Sequence, residues 1–195
     1  MNKKKRKKKL IIWFAHTKPK KKKITIKKKM LGSWTRLSFE MNDIYINSAR
    51  QMSETKITQQ TNDEYDLFPL EIYSQLVNGT NYKLLFAARH FKDKSNIKLF
   101  TSTVYKPLGD QPQLSLGDVA TIDCSNNAFN DTGKEIKIST AVSSYLGVNG
   151  IFKVQKFFND VLGQGTSNVY CVNTDKGTAV VYESGEEFKV DALMN

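Results

Sequence analysis

Two cysteines, Cys124 and Cys171, and two histidines, His16 and His90, are the residues best suited to covalent or metal chemistry. A cysteine nucleophile needs a base beside it. His16 sits among lysines and His90 ends a strand-like run, so spacing pairs neither of them with a cysteine. A zinc site takes about four ligands, and two Cys with two scattered His do not supply them. Two cysteines in 195 residues make no disulfide scaffold and fit a reducing compartment, with a single Cys124–Cys171 bridge left open. There is no phosphate loop, Rossmann glycine pattern, GxSxG or HExxH. These absences point away from an enzyme and toward a protein that binds, with no cofactor and no metal.

The residues suited to binding lie in three short segments. Gln75-Leu76-Val77-Asn78-Gly79 combines an amide, two apolar side chains and an Asn-Gly hairpin signal. Gly79 allows positive φ and close backbone approach. Pro107-Leu108-Gly109-Asp110 is a second turn. Leu31-Gly32 precedes Ser33-Trp34. Each segment also has a plainer reading: a good hairpin turn, a proline turn former, and Leu31 and Trp34 as residues packing a helix.

These segments need a scaffold. From Ser33 to about Ile57 no Gly or Pro interrupts the chain, and Leu37, Met41, Ile44 and Met52 fall near one helical face. The pattern predicts one long amphipathic helix. Strand-like runs follow at 66–77, 81–89, 97–105 and 114–122, joined by short turns. In the second run Tyr82, Leu84, Phe86 and Ala88 alternate with polar or smaller neighbours. Helix then meander predicts an α+β fold with one sheet face on the helix.

Gln75 to Tyr82, QLVNGTNY, resembles the QxVxG signature of the cystatins and its Thr-Asn-Tyr continuation. Leu31-Gly32-Ser33-Trp34 is similar to that family's glycine-containing N-terminal segment, and 104–109 to the second hairpin of its stefin branch. The resemblance spans about residues 30–123. It implies a cystatin-like α+β fold, one long helix packed on a four- to five-stranded antiparallel sheet. It implies a reversible, tight-binding inhibitor of papain-like cysteine proteases of the cathepsin type. The cleft would be filled by a trunk (Leu31, Gly32), a first hairpin (Gln75, Leu76, Val77, Asn78, Gly79) and a second (Pro107, Leu108, Gly109). The sequence departs from the family at Asn78, where a small residue is usual, and at Gly109, where stefins carry proline.

The second half repeats the order: a helix from Lys134 to Leu146, then strand-like runs at 152–161, 167–172, 178–183 and 187–192. Aligning Gly165-Thr166 with Gly79-Thr80 places Val161 opposite Gln75 and Gly163 opposite Val77, so the signature is lost. The expected organisation is a disordered Lys-rich tail (1–29), an inhibitory domain (30–123), a linker (124–132) and a degenerate cystatin-like tandem repeat (133–195).

Charge is divided sharply. The first 29 residues hold 15 of the 30 Lys and Arg and none of the 19 Asp and Glu, so residues 30–195 are net −4 although the whole chain is +11. Lysine runs offer nucleic acid or acidic surfaces a weak, salt-dependent contact; the plainer reading is a solvated tail without a partner. The alternative function is thus a non-inhibitory binding module with a basic tail. Leu10 to Ala15 is too short to span a membrane and lacks a signal-peptide cleavage site. The composition changes abruptly at Met30, consistent with translation starting there. Asn78-Gly79-Thr80 and Asn130-Asp131-Thr132 are glycosylation sequons. A glycan on Asn78 would block the first hairpin, so the inhibitory reading expects a cytoplasmic protein, with nuclear and secreted locations as alternatives.

Overall fold

The computed structural model describes residues 32–39, 42–62, 64–124, 129–163 and 167–195. The Lys-rich tail, Leu31, Met41 and residues 125–128 of the expected linker lie outside the described residues. Trp34–Leu37 forms a strand (β1), not the start of a helix, because it pairs antiparallel with the strand Tyr65–Val77 (β2), Trp34 opposite Gln75. The helix α1 spans Ile44–Thr61 and starts where Asp43 caps it. The Asp43 carboxylate accepts from the backbone N–H of Tyr45 at 2.8 Å and of Ile46 at 3.3 Å, satisfying donors the first turn leaves open. The helix buries Ile46, Ala49, Ser53 and Ile57, a stripe at spacings of three and four. Ile44, expected on the buried face, is 72% exposed.

Three more strands complete a five-stranded antiparallel sheet in sequence order: β3 (Gly79–His90), β4 (Ile97–Lys106) and β5 (Ser115–Ile122). Then come α2 (Thr132–Leu146), capped by Asp131, and a second antiparallel sheet of β6 (Val154–Phe158), β7 (Ser167–Thr174), β8 (Gly177–Ser184) and β9 (Glu187–Met194).

The expectation of a cystatin-like α+β fold with one long helix on one sheet is corrected here. Among the described residues the protein is mostly β, 48% strand against 21% helix, with two sheets of five and four strands and two short helices. The physical reason lies in the strands. In β3, Leu84, Phe86 and Ala88 pack toward α1, while Leu85 and Ala87 face the other way, and all five are buried. Likewise Tyr170 and Val172 of β7 pack toward α2, and Val169 and Cys171 face the opposite side. Strands apolar on both faces need cover on both. The two inner faces therefore share one cluster, Leu70, Leu85, Ala87, Ile97 and Leu99 against Phe158, Val169, Cys171, Val180, Tyr182 and Met194. The layers run α1, first sheet, second sheet, α2. Each large apolar side chain in that seam is worth roughly 1.5–3 kcal/mol relative to exposure.

Several polar groups reach across the seam to partners on the other side. Lys83 Nζ donates to the Leu162 carbonyl at 2.7 Å and Lys156 Nζ to that of Ile97 at 3.1 Å. The Arg89 guanidinium donates to the carbonyls of Met194 and Asn195. The Tyr73 and Tyr182 hydroxyls meet at 2.9 Å.

Candidate functional site

Strand register brings the three predicted segments to one end of the five-stranded sheet. β1 opposite β2 sets Gly32 beside Leu76, and the Gly32 N–H donates to the Leu76 carbonyl at 3.2 Å. β2 turns into β3 with Val77 opposite Gly79, leaving Asn78 at the tip. Thr80 of β3 pairs with Lys106 of β4, so Pro107, Leu108 and Gly109 continue from the strand end next to that tip. Leu31, the remaining trunk residue, lies outside the described residues.

The segments are bonded to one another. Gln75 Nε2 donates to the Gly32 carbonyl at 2.9 Å, and Gln75 Oε1 accepts from Asn81 Nδ2 at 3.1 Å. The amide expected to reach a partner is thus engaged within the chain, where it ties trunk to hairpin. The Tyr105 hydroxyl donates to the Asn78 carbonyl, tying the second strand end to the first tip. Gly79 has φ 123°, and a Cβ there would collide with the Lys106 carbonyl and lie 2.8 Å from the Tyr105 ring. Only glycine lets β3 and β4 close together at this point.

The surface so formed is apolar at its tips. Leu108 is 72% exposed, Leu76 44% and Val77 37%. These are three of the eight large apolar side chains exposed among the described residues. Lys106 Nζ stands 3.9 Å over the Tyr45 ring, which brings the first turn of α1 to the same end. Tyr105, Asn81 and Tyr45 were not legible as site residues, because their roles depend on which strand neighbours which. The one local cue is the position of Tyr105, two residues before the turn-forming Pro107. Trp34, read from sequence as a helix-packing residue, sits in β1 opposite Gln75.

Among the described residues the second half does not reproduce this surface. Between β6 and β7, Val161 and Leu162 are buried in the seam between the sheets instead of projecting. Residues 164–166 lie outside the described residues.

The chemistry-bearing residues are placed apart from this end. Cys124 and Cys171 are both free thiols. Burial in the seam pushes the Cys171 thiol up to about 12, so it holds its proton and is shielded from substrates. His90 Nε2 faces Glu64 Oε2 at 3.2 Å and His90 Nδ1 accepts from the Asp93 N–H at 2.8 Å. Among the described residues no three His, Cys, Asp or Glu gather to hold a metal ion. Both sequon asparagines, Asn78 and Asn130, are exposed.

Comparison with known proteins finds no matching family model, no matching curated protein and no matching solved structure. No helix of the described residues is long and apolar enough to cross a membrane.

Proposed function

We propose that this protein is a reversible, tight-binding inhibitor of papain-like cysteine proteases. It fills the active-site cleft with the trunk at Gly32, the first hairpin from Gln75 to Gly79 and the second at Pro107 to Gly109. The observation that carries this reading is the bonding of these segments into one edge that presents Leu76, Val77 and Leu108. The QLVNG resemblance names the kind of cleft such an edge fits. A groove-filling contact of standard size buries about 1,200–2,000 Å² in total. Its affinity depends on how little ordering is left to do on binding. Here the Gly32–Leu76, Gln75–Gly32 and Tyr105–Asn78 bonds are made before any partner arrives. The mechanism asks no proton transfer of the inhibitor. Apolar tips displace water from the cleft, and the rigid turns hold the backbone away from the protease nucleophile.

The test is a titration of papain activity with the full chain and with a form lacking residues 1–29. Stoichiometric loss of activity at submicromolar concentration is expected, and an unaffected protease at micromolar protein contradicts the reading. The lysine density of the tail supports a second contact, with nucleic acid or acidic surfaces. It predicts binding that weakens steeply with salt and vanishes in the shortened form.

A further inference from the structure

Two β-bulges face each other across the seam between the sheets. In β2 the register with β3 shifts between Pro69 and Glu71, so Leu70 has no opposite number and Glu71, paired with Leu85, turns onto the inter-sheet face. In β9 the register with β8 shifts where Val190 pairs with Val181 and Ala192 with Val180, so Asp191 is the extra residue. Bulges re-aim side chains, and these two bring their carboxyl groups to one guanidinium, that of Arg36. Glu71 is 1% exposed and the Asp191 side chain 3%, and both carboxyls lie beside the same Arg36 guanidinium.

The cations beside them sit at the open margin. Arg36 of β1 pairs with Glu71 and lies 3.8 Å from Asp191 Oδ1, and Lys189 Nζ of β9 lies 3.2 Å from the same oxygen. Asp191 Oδ2 is buried and has no donor. A buried acceptor without a donor is costly, and two carboxylates in contact repel when both are ionised. A proton on Glu71 removes both penalties, since its O–H can donate to Oδ2.

We propose that Glu71 and Asp191 bind one proton between them, forming a proton-binding site that locks the two sheets together at neutral pH and releases as the solution turns alkaline. Burial, and after it the contact with Asp191, push the Glu71 carboxyl up to about 8 despite Arg36. The other titratable groups facing it, Tyr73 of β2 and Tyr182 of β8, are themselves pushed upward by burial and stay neutral. Because the folded-state value lies above the ordinary carboxylate one, this stability is fully present below the ordinary range. It is lost as pH rises through about 8. The lock does not rest on the protease reading.

The experiment is urea unfolding of the full chain from pH 5 to 9, for wild type, Glu71→Gln and Asp191→Asn. Glu71→Gln keeps an acceptor for Arg36 and a donor for Asp191 but cannot ionise. The wild-type folding constant is expected to fall by up to about tenfold per pH unit across the window. Glu71→Gln is expected to remove that fall and to exceed wild type at pH 9. Asp191→Asn, which takes away the repelling neighbour, moves the fall to lower pH. Parallel profiles for wild type and Glu71→Gln overturn the proposal. Should Glu71→Gln not fold, the infrared carbonyl stretch of a protonated carboxyl in wild type at pH 7 decides. Its presence, lost at pH 9, supports the shared proton, and its absence at pH 7 refutes it.

Discussion

Leu108 and Gly79 divide the work of the proposed binding edge between contact and shape. Leu108 projects into solvent, so Leu108→Glu should leave stability within about 0.5 kcal/mol while weakening papain inhibition at least tenfold. Thermal unfolding and inhibition titration of the same variant read the two effects separately. Gly79 is different. A Cβ there meets the Lys106 carbonyl at a backbone angle few side chains adopt, so Gly79→Ala should cost about 1–3 kcal/mol by urea unfolding. A charged residue at Gly79 would therefore confound folding with binding. At this scale the sequence was informative about the turns, because Asn-Gly and Pro-x-Gly chemistry is local. It was silent on Tyr105 and Asn81, whose bonds to Asn78 and Gln75 exist only once β3 is registered against β4 and β2.

At the scale of elements, the caps decide where the chain changes structure. Asp43 stops the extended β1 region from running into α1, and its loss leaves first-turn N–H groups of a partly buried end without acceptors. Asp43→Ala should cost about 1 kcal/mol, read as a lower urea midpoint with an unchanged slope. The same Asn42-Asp43 pair before Ile44 was the missed boundary signal. The helical spacing of Leu37, Met41 and Ile44 suggested a helix from Ser33, yet Trp34–Leu37 gains more by pairing with β2. Strand positions were legible because β-branched and aromatic runs alternate with Gly, Pro and Asn turns. Their two-faced burial was obscured by reading β3 as an alternation, although Leu85 and Ala87 fill the second face as fully as Leu84 and Phe86 fill the first.

The whole molecule is held by the seam between its sheets, and that seam is the part that local sequence patterns report least. Residues as distant as Leu85 and Val180 meet there. Phe158 lies in it at an edge strand, and Phe158→Ala should cost about 3–5 kcal/mol. Because the cluster is common to both sheets, the loss should appear as one earlier unfolding transition, by circular dichroism and by intrinsic fluorescence alike. Two separated transitions would mean that the sheets unfold independently. In the second half Val161 and Leu162 are spent in filling the seam.

In the proposed mechanism one end of the five-stranded sheet enters the protease cleft as a single unit. Hydrogen exchange of the full chain, with and without papain, measures this most directly. Added protection is expected together at 32–36, 75–80 and 105–109, with the outer face of α2 and the turn at 91–96 unchanged. Protection at only one of the three segments, or centred on α2, would contradict it.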